Sequence, residues 1–157
     1  MTIHSAGILL YRFNRNQLEV MLVHPGGPFW AKKDNGAWSI PKGLVEEEEP
    51  LLNAAQREFK EETGASVQGD FIELGALKQP SKKVIHAWAL EHDLNTTQVV
   101  SNTFELEWPK NSGIIKEYPE IDTAVWFAIE DARQKILKGQ AKFLDILLEK
   151  LASRHVG

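Results

Sequence analysis

Gly43-Leu-Val-Glu-Glu-Glu-Glu-Pro-Leu-Leu-Asn-Ala-Ala-Gln-Arg-Glu-Phe-Lys-Glu-Glu-Thr-Gly-Ala65 holds seven glutamates, Glu46 to Glu49 in a run and then Glu58, Glu61 and Glu62. Pro50 suits the first helical position, which needs no amide hydrogen, and Gly64 suits the left-handed residue that ends a helix, so the spacing predicts a helix over 50–63. The residues between are mostly good helix formers. Glu58, Glu61 and Glu62 stand at i, i+3 and i+4, which puts three carboxylates on one helix face. Like charges at that spacing cost roughly 0.2–0.5 kcal/mol per pair, and acids in a last turn oppose the helix dipole by about 0.3–1 kcal/mol more. Two local rules are broken together, as happens where function overrides folding. A divalent cation between the carboxylates would reverse the sign of both terms. Carboxylate oxygens are hard ligands, which points to Mg²⁺ or Mn²⁺.

On composition alone the same run is equally an acidic, solvated helix face, because charge runs commonly lie at the surface. Glu46 to Glu48 also serve as favourable charge ahead of a helix N-terminus.

Spacing carries the reading further. The segment resembles the signature of the Nudix hydrolases, G-x5-E-x7-R-E-U-x-E-E-x-G-U with U a bulky apolar residue. Gly43, Glu49, Arg57, Glu58, Phe59, Glu61, Glu62 and Gly64 match it in type and spacing, and Ala65 is smaller than the usual last residue. The resemblance implies an α/β/α sandwich with a mixed β-sheet. It implies Glu58 and Glu62 as metal ligands, Glu61 as a ligand or near-ligand, and the backbone carbonyl of Lys42 as a further one. Gly43 then lets the chain approach closely. Arg57 and Glu49 are implied as an ion pair that orients the ligating carboxylates. In families with this box the general base often comes from a loop outside it. Glu120, six residues before Trp126, stands where such an acid is expected; Asp122 is its neighbour and Glu61 its rival.

Composition agrees with a folded domain of this kind. The 157 residues read as one domain, 1–157, long enough to bury a core without staples. Hydrophobic residues make up 43% and charged ones 25%, the balance of a soluble globular protein. A net charge of −4 offers no basic field, so no nucleic-acid polymer is expected as a partner. Zero cysteine excludes disulfides and thiolate zinc sites. Ala6 to Tyr11 is too short and lacks the cationic lead of a signal peptide, and no stretch approaches the ~20 apolar residues of a membrane span. The expectation is a cytoplasmic protein with no membrane partner and an oligomeric state left open.

Along the chain, Ile3 to Arg12 and Leu18 to His24 read as a hairpin around Asn14-Arg-Asn-Gln17. Residues 25–37, rich in Gly and Pro, form a long loop of the sort that is often functional. Trp38-Ser-Ile40 reads as a short strand, followed by strand propensity in Phe71 to Gln79, Lys83 to Glu91 and Val99 to Trp108, and Ala124 to Phe127 is short and apolar. Glu130 to Leu137 and Ala141 to Leu151 carry helical periodicity. Such an order of strands with one early and two late helices itself suits an α/β/α sandwich.

A diphosphate substrate calls for cations and, if it is a nucleotide, for a stacking surface. Lys42, Lys82 and Lys83 are the candidates for phosphate, with Lys32 and Lys33 in the long loop as further ones, although paired lysines are commonly solvated. Phe29, Trp30 and Trp88 are candidates for stacking on a base, with core burial as the alternative for Trp88. His4, His24, His86, His92 and His155 show no metal-ligand spacing.

Together these imply a Nudix-type pyrophosphohydrolase acting on a nucleoside diphosphate linked to another group. Trp38-Ser-Ile-Pro-Lys-Gly43 is similar to the lead-in of members that act on diadenosine polyphosphates and inositol pyrophosphates. That favours a dinucleoside polyphosphate, with ADP-ribose and nucleoside triphosphates as alternatives, because loops outside the box set specificity. A non-catalytic binding module of the same fold is the other class; its box is usually eroded, and this one is intact.

Overall fold

The computed structural model describes residues 2–155, without the side chain of His155. Met1, Val156 and Gly157, part of the expected 1–157 extent, lie outside the described residues.

A mixed sheet organises the chain. Its strands are β1 (Ile3–Asn14), β2 (Gln17–Pro25), β3 (Lys42–Leu44), β4 (Ile72–Lys78), β5 (Lys83–Glu91) and β8 (Ile121–Ala128), with β6 (Thr103–Glu107) and β7 (Ile115–Pro119) forming a separate two-stranded hairpin. The order is β4-β5-β1-β2-β8, and β3 pairs with β1 beside that path. Among the described strand pairs of this sheet, β1 and β5 run parallel and the others antiparallel. The β1–β2 turn takes left-handed φ of 53° at Arg15 and 66° at Asn16, the geometry that matches a tight hairpin to strand twist.

Helices cover both faces. Alternation along β5 sends Ile85, Ala87 and Ala89 into a core shared with Phe143, Leu144 and Leu147, on the side of α2 (Ile129–Lys135) and α3 (Lys142–His155). Leu90 and the half-buried Trp88 go to the opposite core, where α1 (Leu51–Thr63) inserts Ala54, Ala55 and Phe59. Burying the Phe59 ring is worth about 1.5–3 kcal/mol, which anchors the helix that carries the glutamates. This is the α/β/α sandwich that strand and helix order implied.

Several boundaries differ from the sequence reading, in part because tertiary hydrogen bonds outweigh local propensity. Pro50 is the residue before α1, not its first, with an extended ψ of 141°. Trp38 and Ser39 make only isolated bridges: the Trp38 amide donates to the Lys135 carbonyl and the Ser39 amide to that of Val23. Residues 99–102, expected as strand, instead cap α1. The amides of Val100 and Asn102 donate to the carbonyls of Thr63 (3.0 Å) and Glu61 (2.8 Å), two acceptors that a helix end leaves open. Strand β6 therefore starts only at Thr103, and the short strands β3 and β7 have no sequence signal of their own. At the other end, α2 stops at Lys135, and a single 3₁₀ turn, Lys138–Gln140, precedes α3. No helix among the described residues is long and apolar enough to cross a membrane.

Candidate active site

Pairing of Ala6 with Gly43 and Gly7 with Lys42 fixes β3 against β1 and lays it along α1. The approach is so close that a Cβ on Gly43 would stand 1.9 Å from Glu58 Oε2. Glycine thus serves this close contact rather than an unusual backbone angle. One turn further along α1, Glu62 Oε1 accepts the Lys42 amide at 3.2 Å. At the helix end Gly64 takes φ 81°, and its amide donates to the Lys60 carbonyl at 2.7 Å. Strand edge and helix face are therefore locked in one register, and the carboxylates of Glu58 and Glu62 lie against the backbone of Lys42 and Gly43.

Arg57 is the hub beside them. Its Nε and Nη2 donate to the two oxygens of Glu49 at 2.9 and 3.0 Å, the two-pronged geometry that Lys cannot reproduce. Nη1 donates to Glu58 at 2.8 Å and to Glu61 at 3.2 Å, and Nη2 also reaches the Leu44 carbonyl at 2.9 Å. Arg57, with the Glu46 amide, holds the Glu49 carboxyl down at about 2, and Glu49 in turn raises the guanidinium. A group so tied is a fixed strut.

Glu62 and Glu58 are perturbed the other way. Burial pushes the Glu62 carboxyl up to about 8; Lys42 opposes that shift, while Glu58 and Glu120 add to it. Burial also raises Glu58, against the pull of Arg57. Glu120, at the β7–β8 junction, is raised by burial and by Glu61. Its position follows from the cap described above: Asn102, tied through its amide to α1, accepts the Glu120 amide on its carbonyl at 2.8 Å. Two backbone hydrogen bonds thus bring a residue 58 positions downstream of Glu62 to the same carboxylate cluster.

These side chains are not gathered into a ready-made cage. Among the described residues no group of three or more His, Cys, Asp or Glu is arranged to hold a metal ion, and Arg57 engages Glu58 and Glu61. The donor set nonetheless fits a hard divalent cation. Half-buried carboxylates stay raised despite Arg57 and Lys42, so the cluster has room for further positive charge, and the missing Cβ of Gly43 leaves the Glu58 carboxylate open to the β3 backbone.

Three adjoining cavities run across the cluster. The middle one, about 210 Å³, is lined by Lys42, Glu62 and Glu120, with Trp30 and Leu137. It shares Pro25, Trp30 and Glu120 with a cavity of about 350 Å³ walled by Phe29, Trp30, Phe104 and Leu106. On its other side it shares Lys42 and Leu137 with one of about 420 Å³ lined by Lys83, Ser5 and Ser81. Aromatic, acidic and cationic compartments follow one another.

A family model described as NUDIX domain matches residues 1–147. The chain belongs to the NUDIX family. Nudix hydrolase 7 of Arabidopsis thaliana is 29% identical over 128 residues, 82% of this chain and 40% of that protein. Nudix hydrolase 10 of the same plant is 34% identical over 113 residues, 71% of this chain and 36% of its own length. The chain spans about two fifths of the length of the curated relatives it matches. Among solved structures, the fold is similar to a Caenorhabditis elegans Ap4A hydrolase binary complex, with a TM-score of 0.64, 21% identity, and coverage of 96% and 98% of the two chains. It is likewise similar to the NUDIX domain of Shewanella oneidensis NrtR complexed with ADP ribose, with a TM-score of 0.66, 17% identity, and coverage of 96% and 89%.

Of the residues singled out from sequence, this Nudix fold brings together Glu49, Arg57, Glu58, Glu61, Glu62, Glu120 and Lys42, with Lys83 at the margin. Lys82 lines none of the three cavities and sits exposed in the β4–β5 turn at φ 68°. Asp122 faces away from the box: its carboxylate meets His24 Nδ1 at 2.9 Å, while His24 Nε2 meets the Lys33 carbonyl at 2.6 Å. The Lys33 ammonium lies 3.7 Å from the centre of the Phe29 ring. Sequence reasoning missed Phe104, which only the β6–β7 pairing turns toward the groove, and Gln140. The latter is fully buried, takes the Ile40 amide on Oε1 at 3.0 Å and donates to Ser39 Oγ at 2.9 Å, so it holds the segment leading into Lys42. Nothing in a lone Gln-Ala pair signals that.

Proposed function

We propose that residues 1–157 form one catalytic Nudix domain that hydrolyses a phosphoanhydride in a nucleoside diphosphate linked to another group, with Mg²⁺ or Mn²⁺. The observation that carries this reading is the set of half-buried carboxylates, Glu58, Glu62 and Glu120, at the middle of a groove with an aromatic end and a cationic end. Glu58, Glu61, Glu62 and the Lys42 carbonyl would hold the cation, which supplies positive charge against the phosphoryl oxygens. The Glu49–Arg57 pair keeps Glu58 and Glu61 oriented, and its strength follows from the two-pronged contact. A base seats between Phe29, Trp30 and Phe104. Glu120 takes the proton from the attacking water: its raised carboxyl sits nearer neutral pH than an ordinary glutamate, and it lines the same cavity as Glu62. Glu61 is the weaker candidate because Arg57 already occupies one of its oxygens.

A dinucleoside polyphosphate, ADP-ribose or a nucleoside triphosphate each satisfies this description. Incubating the chain with each, in Mg²⁺, in Mn²⁺ and in excess chelator, with the products identified, tests the reading. The expected result is turnover that stops with chelator and returns with metal. Undiminished hydrolysis in chelator overturns the metal-dependent reading, and tight binding without turnover of any of them makes the chain a binding module instead.

A further inference from the structure

We propose that the second half of the substrate, the part beyond the diphosphate, carries a phosphate of its own and is seated in the cavity lined by Lys42, Lys83, Ser5 and Ser81. The proposal rests on the pyrophosphohydrolase reading above and concerns only which molecule that site accepts.

The two outer cavities differ in kind. The one at Phe29 and Phe104 has three aromatic side chains in its lining; the one at Lys83 has no aromatic and no acidic side chain. A second nucleobase would find no stacking partner there. Lys42 and Lys83 both border it, and neither takes part in any ion pair among the described residues. Glu62, whose charge Lys42 partly answers, belongs to the middle cavity.

Strand geometry explains how these groups meet. Lys83 and Ile85 point to the same face of β5, and Ile85 is opposite Ser5 in the parallel pairing with β1. Ser5 is buried and Lys83 exposed, so the hydroxyl lies at the floor and the ammonium at the rim. The amides on the far wall are already committed: Gln79 Nε2 donates to the Gly139 carbonyl at 2.9 Å, and Gln140 is held by Ile40 and Ser39. The groups best placed to meet a ligand are two ammonium groups and two hydroxyls. That set recognises a phosphate ester on a compact, non-aromatic body. A second base it would receive poorly, and a neutral sugar would leave the Lys83 ammonium unanswered.

The experiment compares three substrates that share an ADP half: ADP-ribose, ADP-ribose bearing a phosphate on its distal ribose, and diadenosine diphosphate. The expected order of kcat/KM puts the distally phosphorylated compound first, by about ten-fold or more over ADP-ribose, as charge-assisted contacts to one phosphate allow. Lys83→Met is expected to bring that ratio close to one, and Lys83→Arg to keep most of it. Lys83 is exposed at the start of a strand, so both variants fold. Equal rates for the first two compounds, a preference for diadenosine diphosphate, or a ratio indifferent to Lys83→Met would each overturn the proposal. Failure to cleave any of the three would instead strike the hydrolase reading on which it rests.

Discussion

Replacing Gly43 with Ala asks whether the Glu58 carboxylate sits where chemistry occurs. The added methyl would stand 1.9 Å from Glu58 Oε2 and 2.0 Å from its carboxyl carbon, far inside contact distance. Something must retreat by roughly 1 Å. Helix α1 is held by Phe59, Ala54 and Ala55, all fully buried in dense packing, so the retreat falls on the carboxylate itself. That carboxylate now lies 2.8 Å from Arg57 Nη1, and the move either lengthens this bond or turns the group away from β3. A 1 Å misplacement at a reacting centre costs about 10²-fold in rate, or roughly 2.7 kcal/mol of barrier. Folding should hardly notice: Gly43 is not among the residues with left-handed backbone, and Gly→Ala at a compatible position gains about 0.4–1 kcal/mol through the unfolded chain. The assay is steady-state hydrolysis of ADP-ribose across a Mg²⁺ titration, with a thermal melt of the same protein. Expected are a kcat lower by about 10²-fold, a weakened Mg²⁺ response and a melting temperature within a few degrees of wild type. A kcat close to wild type at ordinary Mg²⁺ would refute the placement of Glu58.

The other predictions concern the remaining carboxylates. Glu62→Gln keeps the acceptor for the Lys42 amide but removes the carboxylate that folding forces to stay protonated near neutral pH; kcat should fall by two or more orders of magnitude, while stability at neutral pH in chelator rises by on the order of 1–3 kcal/mol. A variant with normal turnover would take Glu62 out of the metal site. Stability against pH should show two limbs. Glu62, raised to about 8, binds more protons folded than unfolded, so its contribution is lost as pH climbs from about 4.5 to 8; Glu49, held at about 2, contributes stability above about 4.5 that is lost as pH falls toward 2. Melts in chelator should decline along the upper limb, and Mg²⁺ or the Glu62→Gln change should flatten it; a limb insensitive to both means another group titrates there. Glu120→Gln should lower kcat by roughly 10²–10⁴-fold with Mg²⁺ affinity nearly unchanged, whereas Glu61→Gln should weaken Mg²⁺ as well. Parallel kcat and metal titrations decide between the two, and an active Glu120→Gln enzyme ends the claim for Glu120.

The box was legible because its chemistry is local. Glu58, Glu61 and Glu62 share a face by helix geometry alone, Gly64 marks the helix end, and the repulsion among the acids is visible in a string of letters. The hairpin at Arg15 and Asn16 and the alternation of β5 are equally local, and the sandwich follows from the order of elements. Distance in the chain is what hid the rest. Residues 99–102 read as strand because their side chains favour one, yet their amides are the partners that the end of α1 lacks. That exchange, rather than any motif, carries Glu120 to the carboxylates. Phe104 faces the groove only because β6 pairs with β7, and Gln140 matters only because the Ser39–Ile40 backbone passes over it. Lys82 and Lys83 are indistinguishable as letters; the β4–β5 turn gives Lys82 a left-handed backbone in solvent and leaves Lys83 on the strand face that borders the cavity. Sequence by itself determined which groups could hold charge and on which element, since propensity and periodicity act over a few residues. Tertiary structure alone decided which of them meet, because long-range backbone hydrogen bonds and sheet register set those distances.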